Sequence, residues 1–325
     1  MSAAAQQNVD ARNAAFWDEL CGTTLAQSIG VTDRSPESLR RFDDAYMDLY
    51  PYLPGQLRAP RQPGEALLEI GLGYGTVSQR LAEAGFGYHG LDIAAGPVEM
   101  VRQRLRMLDV ADADRRVVQG SALEIPHPDG TFGHVVTIGC LHHTGDLPKA
   151  VAEVHRVLAP GGTAMVMLYN RHSLRQLVLR MHELRANRGQ VDAEGRRGAY
   201  DANAAGDAAP ETVFVTARQV RQELFAAFHE VRIERRNFDP TRLASFRGRA
   251  VWLSRERALG TVDRVLGLDL YIHAVKSRRA SRPTRRRTAP RRTARSIARR
   301  SAGATSGASP ASSSSGSSTS CTKRA

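Results

Sequence analysis

Between residues 64 and 169, short apolar runs alternate with stretches whose apolar positions recur every three or four residues. The runs ALLEI (66–70), HVVTI (134–138) and TAMVMLY (163–169) are almost continuously apolar, the pattern of parallel strands covered on both faces. The alternation predicts strands over roughly 66–70, 87–92, 115–119, 133–138 and 163–169, with helices over roughly 75–85, 97–108 and 147–158. Strand–helix alternation at this spacing predicts a doubly wound, mostly parallel α/β sheet with ligands at the carboxyl ends of its strands.

The flanks read differently. Residues 1–60 predict a helical cap. Ala14, Ala15, Phe16, Trp17 and Leu20 form one apolar face, and Leu39, Phe42, Ala45, Tyr46 and Leu49 form a second that ends at Pro51, Pro54 and Pro60. Such helices cover one side of the sheet or form a lid over the ligand. After residue 169, a basic amphipathic helix over 173–186 leads into a polar Gly/Ala/Asp stretch, 187–210, expected to be a flexible loop. An N-capped helix over 216–228 and two strands, EVRIERRNF and LDLYIHAVK, follow, bringing the sheet to seven strands by residue 276. Segments 61–169 and 170–276 are thus expected to be a ligand-binding core and a region that shapes a second pocket.

Charge sharpens the boundary at 276. The chain has 46 Lys+Arg against 33 Asp+Glu, but residues 276–325 hold 14 of the basic residues and no acidic one. The first 275 residues therefore stand at 32 against 33, close to neutral, and lack the basic stripe of a nucleic-acid reader. From Ser277 onward the Arg, Ser, Thr, Ala and Pro composition predicts a disordered tail, open to weak polyanion contact. Cys21, Cys140 and Cys321 are odd in number and show no metal-ligand spacing, which argues against a disulfide framework or a zinc site and fits a cytoplasmic setting. No signal peptide or membrane span is visible, and no metal is expected.

The chemistry is concentrated in LLEIGLGYGTVSQRL (67–81) and YHGLDI (88–93). Strand, glycine turn, helix, strand and acid follow in order, an arrangement that brings backbone N–H groups and a ribose-holding acid to a nucleoside. In a dinucleotide fingerprint the third glycine would stand at position 76, which is threonine here. Gly71, Gly73 and Gly75 alternate instead, and Glu69 precedes them. A carboxylate beside the turn disfavours a pyrophosphate and tolerates a sulfonium with an ammonium.

Four segments in register, EIGLGYG (69–75), GLDI (90–93), QGSALEIPHPDGTF (119–132) and IGCLHHTGDLPKAVAEVHRVLAPGG (138–162), resemble the class I S-adenosylmethionine-dependent methyltransferases, in particular the methyltransferase type 11 group. The resemblance implies a Rossmann-like methyltransferase fold with S-adenosylmethionine as cofactor. It implies that Glu69, Gly71, Gly73 and Gly75 cradle the amino-acid part, Asp92 holds the ribose, Ile93 packs on the adenine, and Ser121 and Ala122 meet its edge. Cys140 would lie beside the cofactor. The family usually has Asp where Ser121 stands, and often Asp where Gly133-His134 stand. His142 and His143 follow the fourth strand and are the candidates for a proton-accepting role. The expected activity is in-line methyl transfer to oxygen, nitrogen or carbon of a small-molecule acceptor. The alternatives are an RNA or ribosomal methyltransferase docked by its tail, and a non-catalytic cofactor-binding protein of the same fold.

Overall fold

The computed structural model describes residues 2–19, 23–57, 65–186, 193–203, 205–238 and 255–278. Cys21, Cys321, the end of the expected loop start (187–192) and nearly all of the Arg-rich tail lie outside them. The described residues fall within a single compact unit, Met1–Ala280.

Four helices come first: α1 (Ala3–Trp17), α2 (Thr23–Ser28), α3 (Pro36–Leu49) and α4 (Leu53–Gln56). The alternating core follows as β1 (Ala66–Ile70), α5 (Thr76–Glu83), β2 (Gly87–Asp92), α6 (Ala95–Met107), α7 (Ala113–Arg116), β3 (Val117–Gln119), β4 (Phe132–Ile138), α8 (Leu147–Val157) and β5 (Leu158–Tyr169). Helices α9 (Leu174–Ala186) and α10 (Ala193–Gly198) precede the last strands, β6 (Glu230–Arg236) and β7 (Asp269–Val275). The seven strands form one sheet in the order β3-β2-β1-β4-β5-β7-β6. The first five are parallel, and β7 runs antiparallel to both β5 and β6. The order reverses between β1 and β4, which opens a crevice at their carboxyl ends.

The apolar runs work as two-sided strands because successive side chains point to opposite faces. Leu68, Ile70, Val135 and Val166 pack on one face with Val151 and Val154 of α8. Leu67, Val136, Met165 and Met167 pack on the other with Leu81 of α5 and Val98, Val101 and Leu105 of α6.

Local expectations shift in four places. Helix α1 begins at Ala3, because Ser2 Oγ accepts from the Ala5 N–H and caps it, and its buried residues are Val9 and Asn13 rather than the Ala14–Phe16 group. Strand β5 starts at Leu158, five residues before the expected 163, because Leu158 pairs with Phe132 before a register shift. The stretch expected as a loop over 187–210 carries α10 and an isolated bridge, Ala202 to Ala208. The helix expected over 216–228 keeps its Thr216–Gln219 capping box but widens at once into a π turn, Val220–Leu224. There the Phe225 N–H reaches back to the Val220 carbonyl at 2.9 Å. The extra residue turns Phe225 into the core with Val220 and Phe228, while Leu224 is only partly buried and Ala227 is exposed. Among the described residues no helix is long and apolar enough to cross a membrane.

Candidate active site

A cavity of about 220 Å³ opens at the carboxyl ends of β1, β2 and β4, where the strand order reverses. Its floor is the glycine turn. Gly71 leaves β1 with φ +82°, and a Cβ there would stand 2.4 Å from Cys140 Cβ, so only glycine lets the ends of β1 and β4 close on each other. Its N–H donates to the Leu91 carbonyl at 2.9 Å, tying the turn to β2. Gly75, φ +77°, is the residue before α5, and a Cβ there would stand 2.7 Å from Arg104 Cδ. No side chain caps α5, so its first N–H groups face outward from the turn, as an N-terminus that receives a ligand requires.

Behind the turn lies a clasp that the sequence pattern did not signal. Arg104 of α6 is 1% exposed. Its Nε donates to the Tyr74 carbonyl (2.7 Å), its Nη1 to Gln79 Oε1 (2.6 Å), and its Nη1 and Nη2 both to the Asp43 carboxylate (2.8 Å each). Asp43 also accepts from Thr76 Oγ1 at 2.6 Å. One guanidinium therefore joins α3, the glycine turn and the start of α5.

Two carboxylates face the cavity from the strand side. Glu69 is buried, and its Oε2 accepts from Ser78 Oγ and Tyr88 Oη, both at 2.6 Å. Burial pushes its pKa up to about 7, against the pull of those two donors. Asp92 Oδ2 accepts from the Leu72 N–H (2.7 Å) and Oδ1 from the Ala94 N–H (2.9 Å). Each oxygen keeps a second lone pair. Burial raises the Asp92 pKa to about 6, with the backbone N–H groups of Ala94 and Leu72 opposing.

Glu69, Gly71, Gly73, Gly75, Asp92, Ile93, Ser121, Ala122 and Cys140 all line this one cavity, although they lie as far apart as positions 69 and 140. Ser121 Oγ accepts from the Leu123 N–H at 3.3 Å, which fixes the turn after β3. Burial pushes the Cys140 thiol pKa far up, which disfavours the thiolate. Gly133 has Glu65 against its Cα, and His134 Nδ1 meets Thr163 Oγ1 at 2.6 Å; neither lines the cavity.

The two histidines part company. His142 is fully buried outside the cavity lining, its ring 4.1 Å from that of Tyr169, and neither ring nitrogen has a hydrogen-bond partner among the described residues. Burial and then the neighbouring His143 drive its pKa well down. His143 lines the cavity, but its Nδ1 lies 2.6 Å from the Glu211 carbonyl and therefore carries the proton. Its Nε2 is buried 3.7 Å from Asp201 Oδ2, and burial lowers its pKa. Neither nitrogen of either histidine is presented to a ligand in the cavity.

The opposite wall comes from helices with no motif. Asp10, Asn13 and Trp17 of α1, spaced three and four apart, line the cavity with Phe42 and Tyr46 of α3 and with Tyr74. Asn13 Nδ2 donates to the His143 carbonyl (2.7 Å) and Gln6 Nε2 to that of Thr144 (2.8 Å), docking α1 on the loop after β4. Asp18 Oδ1 accepts from the Gly96 N–H at 2.6 Å and pins the other end of α1 to α6. Phe42 stacks on Tyr74 with centroids 4.1 Å apart. The apolar spacing around Trp17 and Phe42 was the only sequence signal for the helices of this wall; Asp10 and Asn13 carried none, and Tyr74 belongs to the glycine turn itself.

Comparison with known proteins converges on this crevice. Residues 68–166 match the methyltransferase domain family. The chain is 32% identical over 150 residues to 27-O-demethylrifamycin SV methyltransferase of Amycolatopsis mediterranei, covering 45% of this chain and 47% of that protein. It is 28% identical over 160 residues to norajmaline N-methyltransferase of Rauvolfia serpentina, covering 49% and 51%. The chain thus spans about half the length of these relatives. Among solved structures, the PH0226 protein of Pyrococcus horikoshii OT3 is similar at a TM-score of 0.48 and 17% identity, covering 76% of this chain and 95% of that one. The family match is laid over β1 to β5, so residues 68–166 form a methyltransferase domain.

Proposed function

We propose that the chain transfers the methyl group of S-adenosylmethionine to a small-molecule acceptor by in-line displacement. The observation that carries this reading is the convergence of nine residues from the ends of β1, β2, β3 and β4 on one cavity. In this assignment the glycine turn and the N-terminus of α5 take the amino-acid part, and the free lone pairs of Asp92 accept the two ribose hydroxyls. Ile93, Ser121 and Ala122 bound the adenine, and Cys140 packs beside the sulfonium. S-adenosylmethionine supplies an activated methyl group.

What the chain's own residues contribute is alignment and exclusion of water, which supply much of the acceleration when the donor is already activated. The placement of His142 and His143 supports this division of labour, because their nitrogens are turned toward protein rather than toward the reacting centre. Neither histidine then takes the acceptor's proton, which is lost to solvent once the methylated product leaves the cavity. Small-molecule transfer is also the activity that the names of the rifamycin and norajmaline relatives state for those proteins. The test is methyl-labelled S-adenosylmethionine incubated with the full chain and with separate metabolite, protein and RNA fractions. Label in the metabolite fraction is expected. Label confined to RNA or protein would overturn the small-molecule assignment.

A further inference from the structure

The charges around the cavity are one-sided. Three carboxylates line it, Asp10, Glu69 and Asp92, and among the described residues no Lys or Arg does. The nearest guanidinium described at the turn, Arg104, is turned away and fully engaged with Asp43, Gln79 and the Tyr74 carbonyl. Two of the carboxylates are already occupied. Glu69 is held by Ser78 and Tyr88, and Asp92 by two backbone N–H groups. Both sit at strand ends on the cofactor side. Asp10 differs: it stands on α1, across the cavity, half-buried, with one oxygen bonded to Gln6 Nε2 at 2.8 Å.

The cavity that Asp10 lines is otherwise rich in aromatic rings. Trp17 is two turns further along the same helix face, and Phe42, Tyr46 and Tyr74 complete the lining. A carboxylate among aromatic rings is a cation-binding set, because ring faces attract a positive nitrogen and the carboxylate neutralises it. The same wall penalises an anion, which would surrender its hydration with no cation to meet it. The bound cofactor does not cancel this bias: its sulfonium, ammonium and carboxylate leave one positive charge against three lining carboxylates.

We propose that the acceptor is a molecule carrying a basic amine, held as its ammonium by Asp10 against the aromatic wall of α1 and α3. This rests on the methyltransferase assignment above and adds the chemical class of the acceptor and the residue that selects it. It concerns the group that is held, whichever atom receives the methyl.

The experiment is a binding and transfer panel on the full chain with S-adenosylhomocysteine binding measured first. Pairs of aryl and alkyl probes are matched in shape, one member an amine and the other a carboxylate or phosphate. Amines are expected to bind the homocysteine-loaded protein at least ~10-fold more tightly than their anionic partners. Label transfer from S-adenosylmethionine should likewise go to amine-bearing compounds. Asp10→Asn should erase the preference while leaving S-adenosylhomocysteine affinity within about twofold, since Asp10 lies across the cavity from the turn. The proposal is overturned if the anionic members bind equally well or better, if no amine binds, or if Asp10→Asn leaves the preference intact. Failure of S-adenosylhomocysteine to bind at all would instead remove the underlying methyltransferase assignment.

Discussion

The wall contributed by β1, β2 and β4 is backbone at close range, whereas the wall contributed by α1 and α3 is side chains. On the first, Gly71 brings two strand ends so close that a single methyl group would stand 2.4 Å from Cys140 Cβ, and N–H groups and two buried carboxylates face the cavity. On the second, Trp17, Phe42, Tyr46 and Asp10 project from helices that touch the core at a few points: Asn13 to His143, Asp18 to Gly96, Asp43 to Arg104. A backbone-built wall suits a ligand that never changes. A wall of side chains on docked helices suits one that differs among relatives, and it lies wholly outside the matched segment 68–166. The difference teaches where donor and acceptor recognition are each encoded.

The link between the two walls is the Arg104–Asp43 clasp, so breaking it gives the largest effect. Arg104→Gln should cost about 3–5 kcal/mol in denaturant unfolding, because it removes a fully buried guanidinium from the half-buried Asp43 carboxylate, Gln79 and the Tyr74 carbonyl, and Asp43→Asn added to it should recover part of the loss. A cost below 1 kcal/mol would mean that α3 docks without the clasp. Next is Gly71→Ala, which meets Cys140 and adopts φ +82°. It should cost about 2–3 kcal/mol and abolish cofactor binding, with thermal unfolding and calorimetry as the readouts.

Two smaller effects separate the walls. Trp17→Ala should raise the acceptor KM about 10-fold with little change in S-adenosylhomocysteine affinity. Equal losses in both would mean that α1 serves the cofactor. On the strand side, Glu69 has a pKa raised to about 7, and in the proposed assignment it would face the cationic cofactor. A cation favours the ionised form, so binding expels a proton below that pH. Affinity for S-adenosylmethionine should therefore fall as pH drops below 7, by up to about 10-fold per pH unit, and level off above 8. Glu69→Gln should flatten the profile, and a slope that survives this substitution would assign the titration elsewhere.

How much was legible in the sequence follows the same division. The strands of the core were readable because two-sided burial demands continuous apolar runs, as in HVVTI. The glycine turn was readable because only glycine adopts φ values of +51° to +82° at alternate positions without strain. The nine residues expected at the site, from Glu69 to Cys140, line one cavity for that reason. Asp10 and Asn13 were not legible, since a polar residue on a helix looks the same whether it faces water or a ligand. Arg104 was also missed: its role depends on Asp43, 61 positions away, and nothing local marks it. A His-His pair at a strand end suggests proton transfer, and the surroundings of the two rings are not legible in the sequence. Burial of His142 under Tyr169, and the Glu211 carbonyl on His143, turn both rings into packing. The π turn at Val220–Leu224 was invisible because one extra residue in a helical pattern changes which apolar positions are buried, not their number.

The most direct test of the strand-built wall is calorimetric titration of the full chain and of Asp92→Ala with S-adenosylhomocysteine. Saturable one-to-one binding is predicted for the unaltered chain. In Asp92→Ala, removal of the charged hydrogen bonds to the ribose should weaken it by about 2–3 kcal/mol, roughly a hundredfold. Unchanged affinity in Asp92→Ala, or no binding by either protein, would contradict the assignment of the cavity to the methyl donor.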